Sequence, residues 1–205
     1  MILQSQLEDI YGKYSDPQIL KQKWEKDQSV GSGFFYSITY EPIAYFFNQH
    51  KDIADHLELK IALVFSWNPK ICEVSKTRFC EGRKKFVELR NIQDSITDKT
   101  IKEIDIPQYL PPLWNAIKLV TSKTDAAGVS VTKFLHFSFP KIFPMIDINT
   151  MKKLGKNVYD ENSYKELLLA WKCLFIKHES SFKILSSSLE MPYARILDIM
   201  LFSPK

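Results

Sequence analysis

Apolar residues recur at three- and four-residue intervals along most of this chain, the spacing that gathers them on one side of an α-helix. Ile53, Leu57, Ile61 and Val64 repeat in this way behind Asp52, which reads as the cap, until Asn68-Pro69 stops the run. Asp16-Pro17 is a cap followed by proline at the first helical position and predicts a helix through about Lys26. Pro42 opens another, with Ile43, Phe46 and Phe47 on one side. From Pro69 to about Arg90, Ile71, Val74, Phe86 and Leu89 stand among many charges and predict a surface helix, broken near Gly82. Residues 91–110 are polar and then proline-marked, a connector, after which Pro111-Pro112 starts a helix over Leu113 to Val120. Ser163 to Glu166 has the form of a capping box. Behind it Tyr164, Leu167, Leu168, Trp171, Leu174 and Phe175 trace one face. The closing stretch MPYARILDIMLF is apolar nearly all round and predicts a buried helix.

Strand signals are nearly absent. GSGFFYSITY is the one plausible strand, so at most one short strand pair is expected near residues 33–40. The pattern predicts an all-α, multi-helix globule. Residues 1–205 read as a single helical domain, and a second lobe around residues 111–155 stays open.

Composition changes this picture little. The 205 residues are 45% hydrophobic and 25% charged, so one sizeable core can form and wholesale disorder is excluded. With only 6 glycines, glycine-rich phosphate loops and hairpin turns are scarce, which favours helices joined at proline-marked corners. A formal charge of +4 permits nucleic-acid binding without marking a strongly basic binder. Arg83-Lys84-Lys85 and Lys152-Lys153 are the local basic clusters, each of a size that a solvated helix face explains. Cys72, Cys80 and Cys173 include no CxxC pair, which points to three reduced thiols and a cytoplasmic location. No signal-peptide pattern opens the chain, and apolar runs such as Ile61 to Phe65 are far too short to span a bilayer, so no membrane role is expected.

Candidate chemistry centres on KFLHFSFPKIFPMIDINTMKKLG, residues 133–155. Asp147 stands alone at the end of an aromatic-rich segment, directly before a short helical run. Aspartate there is a common N-cap, and a fixed carboxylate is also able to stabilise a developing cation and orient water. His136, among Phe134, Leu135 and Phe137, reads as a core histidine holding one hydrogen bond. No second histidine stands at ligand spacing from it, so no metal and no cofactor are expected. Arg195 and Asp198, at i,i+3 in the apolar tail, read as a structural ion pair.

The order of features from Thr124 onward resembles the helix-hairpin-helix glycosylase superfamily of base-excision DNA repair. Gly128-Val129-Ser130-Val131-Thr132-Lys133 lies over the hairpin, Met145-Ile146-Asp147 over the apolar-apolar-aspartate step, and Lys152 near a basic position of the following helix. The resemblance covers about residues 124–155. It implies a helical fold, double-stranded DNA as partner, and Asp147 as the catalytic group for hydrolysis of an N-glycosidic bond. It also implies that Gly128, Ser130, Thr132, Lys133 and Lys152 contact the DNA. Ser130 replaces the hairpin's second glycine, and Thr132 stands where some members carry the lysine of strand-cleaving chemistry, so base removal without lyase activity is the implied reaction. Phe34, Phe35, Tyr36 and Tyr40 are candidates for a wall that stacks on a flipped base. The alternative of a different class is a non-enzymatic helical module that binds a protein partner, for example in a bacterial defence or toxin-neutralising context.

Overall fold

The computed structural model describes residues 2–29, 32–66, 74–121, 128–155 and 160–202. Among them it contains twelve α-helices and one 3-10 turn, and no strand. In chain order the helices are α1 (Ile2–Tyr14), α2 (Pro17–Gln28), α3 (Ser32–Gln49), α4 (Leu57–Ser66), α5 (Lys76–Glu88) and α6 (Arg90–Ile96). The 3-10 turn Ile101–Glu103 follows, then α7 (Ile106–Thr121), α8 (Gly128–Ser138), α9 (Ile148–Lys153), α10 (Glu161–Lys177), α11 (Glu179–Leu189) and α12 (Tyr193–Leu201).

The all-α architecture agrees with the apolar spacing, and several local expectations are corrected. The segment read as a strand is the first half of α3, which runs unbroken through Pro42. Tyr40, Ile43 and Phe47 are buried at helical spacing, whereas Pro42 is exposed. The carbonyl that Pro42 deprives of a donor therefore lies on the side where water reaches it. Residues 91–110 are mostly helical rather than a connector, holding α6, the 3-10 turn and the start of α7. Helix α7 begins at Ile106-Pro107, with the Asp105 side chain accepting from the Gln108 amide, so Pro111-Pro112 lies inside it. Asp160, three residues before the expected Ser163, caps α10 by accepting from the Ser163 amide at 2.8 Å. Asp16 caps α2 as expected, through the amides of Gln18 and Ile19.

Gly82 does not break α5. It is buried where α5 crosses α7, and a Cβ there would sit 2.4 Å from Val120 Cγ1 and 3.1 Å from Leu119 Cβ. Glycine allows the two helices this approach. The buried apolar residues form one cluster that includes Leu7 of α1, Phe134 of α8, Trp171 of α10 and Leu201 of α12. Within it Trp171 meets Phe182 edge-on at 4.9 Å, and Phe175 lies against both. Helix α8 is packed by α3, α4 and α7, and α12 by α1, α2 and α11. Both are buried nearly all round, so any polar side chain they carry is drawn into the interior. No helix among the described residues is long and apolar enough to cross a membrane.

Candidate functional site

The corner between α8 and α9 explains its own aromatic and proline-rich composition. Pro140 and Pro144 remove two backbone donors, and the remaining polar groups of this buried segment need partners. The Phe143 carbonyl accepts from His136 Nδ1–H at 2.8 Å, and the Pro144 carbonyl accepts from the Tyr164 hydroxyl at 2.8 Å. The Thr132 hydroxyl accepts from the Ile146 amide at 3.3 Å and donates back to the Ile146 carbonyl at 3.2 Å. The Pro140 carbonyl accepts from the Ala194 amide at 3.3 Å, which ties the corner to α12. Asp147 is thus delivered to a fixed place by side chains of α8 and α10.

His136 holds this corner with both ring nitrogens. With Nδ1 donating to Phe143, Nε2 accepts from the Tyr40 hydroxyl at 2.9 Å. Burial pushes the His136 imidazolium down to about 3, helped by the Arg195 charge, so the ring is neutral at physiological pH. The same burial raises the Tyr40 phenol above its ordinary value.

Asp147 is in extended conformation and accepts from the Thr150 amide at 2.7 Å, capping α9. Gly155, in the left-handed region at φ 67°, follows the end of that short helix. The half-buried Asp147 also lines a cavity of about 40 Å³, together with Lys133 of α8, Arg195 and Asp198 of α12, Trp24 of α2 and Phe202. That is room for a few ordered waters.

The cavity wall is a buried network of charge. Arg195 forms an ion pair with Asp198 one turn along α12. Its guanidinium sits against the rings of Trp24 and Tyr40, 4.6 and 4.2 Å from their centroids. Burial raises the Asp198 carboxyl to about 6; the Arg195 charge opposes the rise and the Asp147 charge adds to it. Burial pulls the Lys133 amine down to about 8, against the attraction of Asp147 and Asp198. Lys153 is lowered too, by burial and then by Lys23, with Asp147 and Asp27 opposing. Lys23 itself pairs with Asp27 and donates to the Phe202 carbonyl at 2.7 Å. The cavity's own lining balances two cations, Lys133 and Arg195, against two carboxylates, Asp147 and Asp198, while Lys23, Asp27 and Lys153 act on one another beside it.

The structure brings together four of the residues singled out in the sequence, Asp147 and Lys133 together with Arg195 and Asp198, on one cavity wall. Thr132 sits behind that wall as the pin for Ile146, and Gly128 and Ser130 are buried in the first turn of α8. Of the five residues that the resemblance places on DNA, Lys152 alone is exposed. Residues 122–127, the turn before Gly128, lie outside the described residues, as do the side chains of Phe34, Phe35 and Tyr36. Tyr40 is buried against Arg195 and His136 rather than forming an open wall. The Arg195–Asp198 pair forms as the sequence suggests, but its place beside Asp147 was not legible there. Two opposite charges inside a stretch of eight buried residues were the available signal. Trp24 gave none, since it lies on a helix remote in sequence.

Compared with known proteins, the chain matches no family model, no curated protein and no solved structure.

Proposed function

We propose that this protein binds double-stranded DNA and hydrolyses an N-glycosidic bond at Asp147, in the manner its hairpin-like segment resembles. One observation carries the reading. Asp147, at the corner that follows α8, lines a small cavity with a buried amine, Lys133, and the Arg195–Asp198 pair on the same wall. Breaking an N-glycosidic bond develops positive charge on the sugar, and a carboxylate held by the Thr150 amide is positioned to offset that charge and orient a water. The cavity has room for such a water and not for a nucleobase, so lining side chains such as Trp24 and Phe202 have to move when a flipped base enters. Lys152, exposed on α9, is the contact for the phosphate backbone.

The burial of Gly128, Ser130, Thr132 and Lys133 favours a second reading, a non-enzymatic helical module in which Asp147 is only a cap. Incubating the wild-type protein with a panel of damaged and modified duplexes, and measuring both retention at low salt and released base, separates the two. Retention with release supports the first reading. A folded protein that neither retains any duplex nor releases base leaves the second.

A further inference from the structure

The turn joining α3 to α4 gathers His50, Asp55 and His56 at one point of the surface. His50 Nδ1 lies 3.3 Å from one oxygen of Asp55, and His56 Nε2 lies 3.6 Å from the other. The three ligand-type atoms are all within 4.8 Å of one another. The two imidazoles meet edge to face with centroids 4.3 Å apart, and Phe46 backs the His50 ring at 4.5 Å.

This turn is held from below. Lys60 is buried, and its Nζ donates to the carbonyls of His50 and Asp52, each at 2.6 Å. Gln93 of α6 accepts from the Ile53 amide at 2.7 Å and donates to the Lys51 carbonyl. Arg90 Nε reaches an Asp52 carboxylate oxygen at 2.8 Å. His56 sits in the left-handed region at φ 49°, a conformation that costs energy outside glycine and persists where surrounding contacts impose it. The donors therefore converge before any ion arrives, which lowers the ordering cost of binding one.

We propose that His50, Asp55 and His56 bind one zinc ion, with water completing the coordination. Two ligand atoms each about 2.0 Å from a tetrahedral zinc stand about 3.3 Å apart. His50 Nδ1 meets this spacing with one Asp55 oxygen and His56 Nε2 lies 3.6 Å from the other; with the three ligand atoms within 4.8 Å of one another, side-chain shifts of about 1–2 Å bring them onto one ion. Two imidazoles with one carboxylate suit zinc, whereas calcium and magnesium prefer oxygen donors alone. Asp55 and His56 are exposed, so the remaining positions face solvent and the ion has direct access. The site shares no residue with the Asp147 cavity and does not depend on the DNA reading. Bound zinc would join the end of α3 to the start of α4, the helix pair that carries Tyr40 and Lys60.

The test is isothermal titration of the full chain with zinc chloride, and separately with magnesium chloride, for wild type, Asp55→Asn and His56→Asn. Asparagine tolerates the left-handed backbone at position 56, so that variant loses the ligand and keeps the turn. The expected result is one zinc per wild-type chain and at least about tenfold weaker binding in each variant, the scale seen on weakening a metal's ligand environment. Saturating zinc should also raise the wild-type Tm by about 5 °C or more and move the variants less. Affinity unchanged in both variants would place zinc on other donors, such as the exposed thiols of Cys80 and Cys173, and overturn the proposal. Failure of the wild type to bind zinc, or equal binding of magnesium, would overturn it as well.

Discussion

His136 is the core histidine that its apolar neighbours predict, and it holds two hydrogen bonds rather than one. Its ring joins the Tyr40 hydroxyl to the Phe143 carbonyl, and burial holds its pKa near 3. In the unfolded chain the same imidazole takes up a proton near the ordinary histidine value. Between those two values the unfolded state binds more protons, so the stability His136 contributes is full above about pH 6.5 and is lost as pH falls towards 3. Denaturant melts from pH 7 to pH 4 should show this decline, and His136→Gln, less stable at neutrality, should show a shallower one. Equal slopes in both proteins would remove His136 as its source. Asp198 works in the opposite sense. Its carboxyl is raised to about 6, so the fold favours the protonated form, and that preference is lost as pH rises through 6. Its charge is nevertheless what pairs buried Arg195. Replacing Asp198 by Leu should cost about 3–5 kcal/mol at pH 7, because it strands a buried guanidinium. Chemical denaturation measures the cost, and a loss below about 1 kcal/mol would mean that Trp24 and Tyr40 suffice to hold Arg195.

At the scale of elements, apolar spacing made the helices legible and their boundaries less so. The Asp16-Pro17 start and the buried tail helix α12 were readable because each depends on a local signal. Helix α3 reads as a strand in its first half because Phe34, Phe35, Tyr36, Ile38 and Thr39 are residue types also suited to strands, and Pro42 has the sequence form of a helix start. The buried set Tyr40, Ile43 and Phe47 decides for helix, and that burial comes from packing against α8. Gly82 illustrates the same limit: a glycine in an amphipathic run reads as a break, whereas here a neighbouring helix occupies the space. Gly82→Val should destabilise the protein by about 1–3 kcal/mol through overpacking against Val120 and Leu119. A melting temperature equal to wild type would show that α5 and α7 separate readily. The grouping of His50, Asp55 and His56 is not legible in sequence, since the turn that gathers them is held by Lys60 and Gln93 from other helices.

Across the whole molecule, one core carries the cavity, and helices distant in sequence supply its wall. Trp24, Lys133, Asp147, Arg195 and Asp198 come from four different parts of the chain. Asp147 and its neighbour Lys133 were visible as a local pattern, whereas the charged pair and the tryptophan required the fold. If duplex DNA binds along α9, Lys152→Glu should weaken retention and reduce its salt dependence by about one counterion, without affecting the melt, since that side chain is exposed. Unchanged salt dependence would move the interface elsewhere. The proposed reaction needs Asp147 to act as a charge and not only as a cap. The direct measurement is base release under single-turnover conditions by wild type beside Asp147→Asn, with thermal melts of both. Asparagine caps a helix nearly as well as aspartate, so the melts should agree to within about 1 kcal/mol. It carries no negative charge, so wild type should release base and the variant should be slower by about 100-fold or more. Equal release by the two proteins, or none by a wild type that binds the duplex, would contradict it.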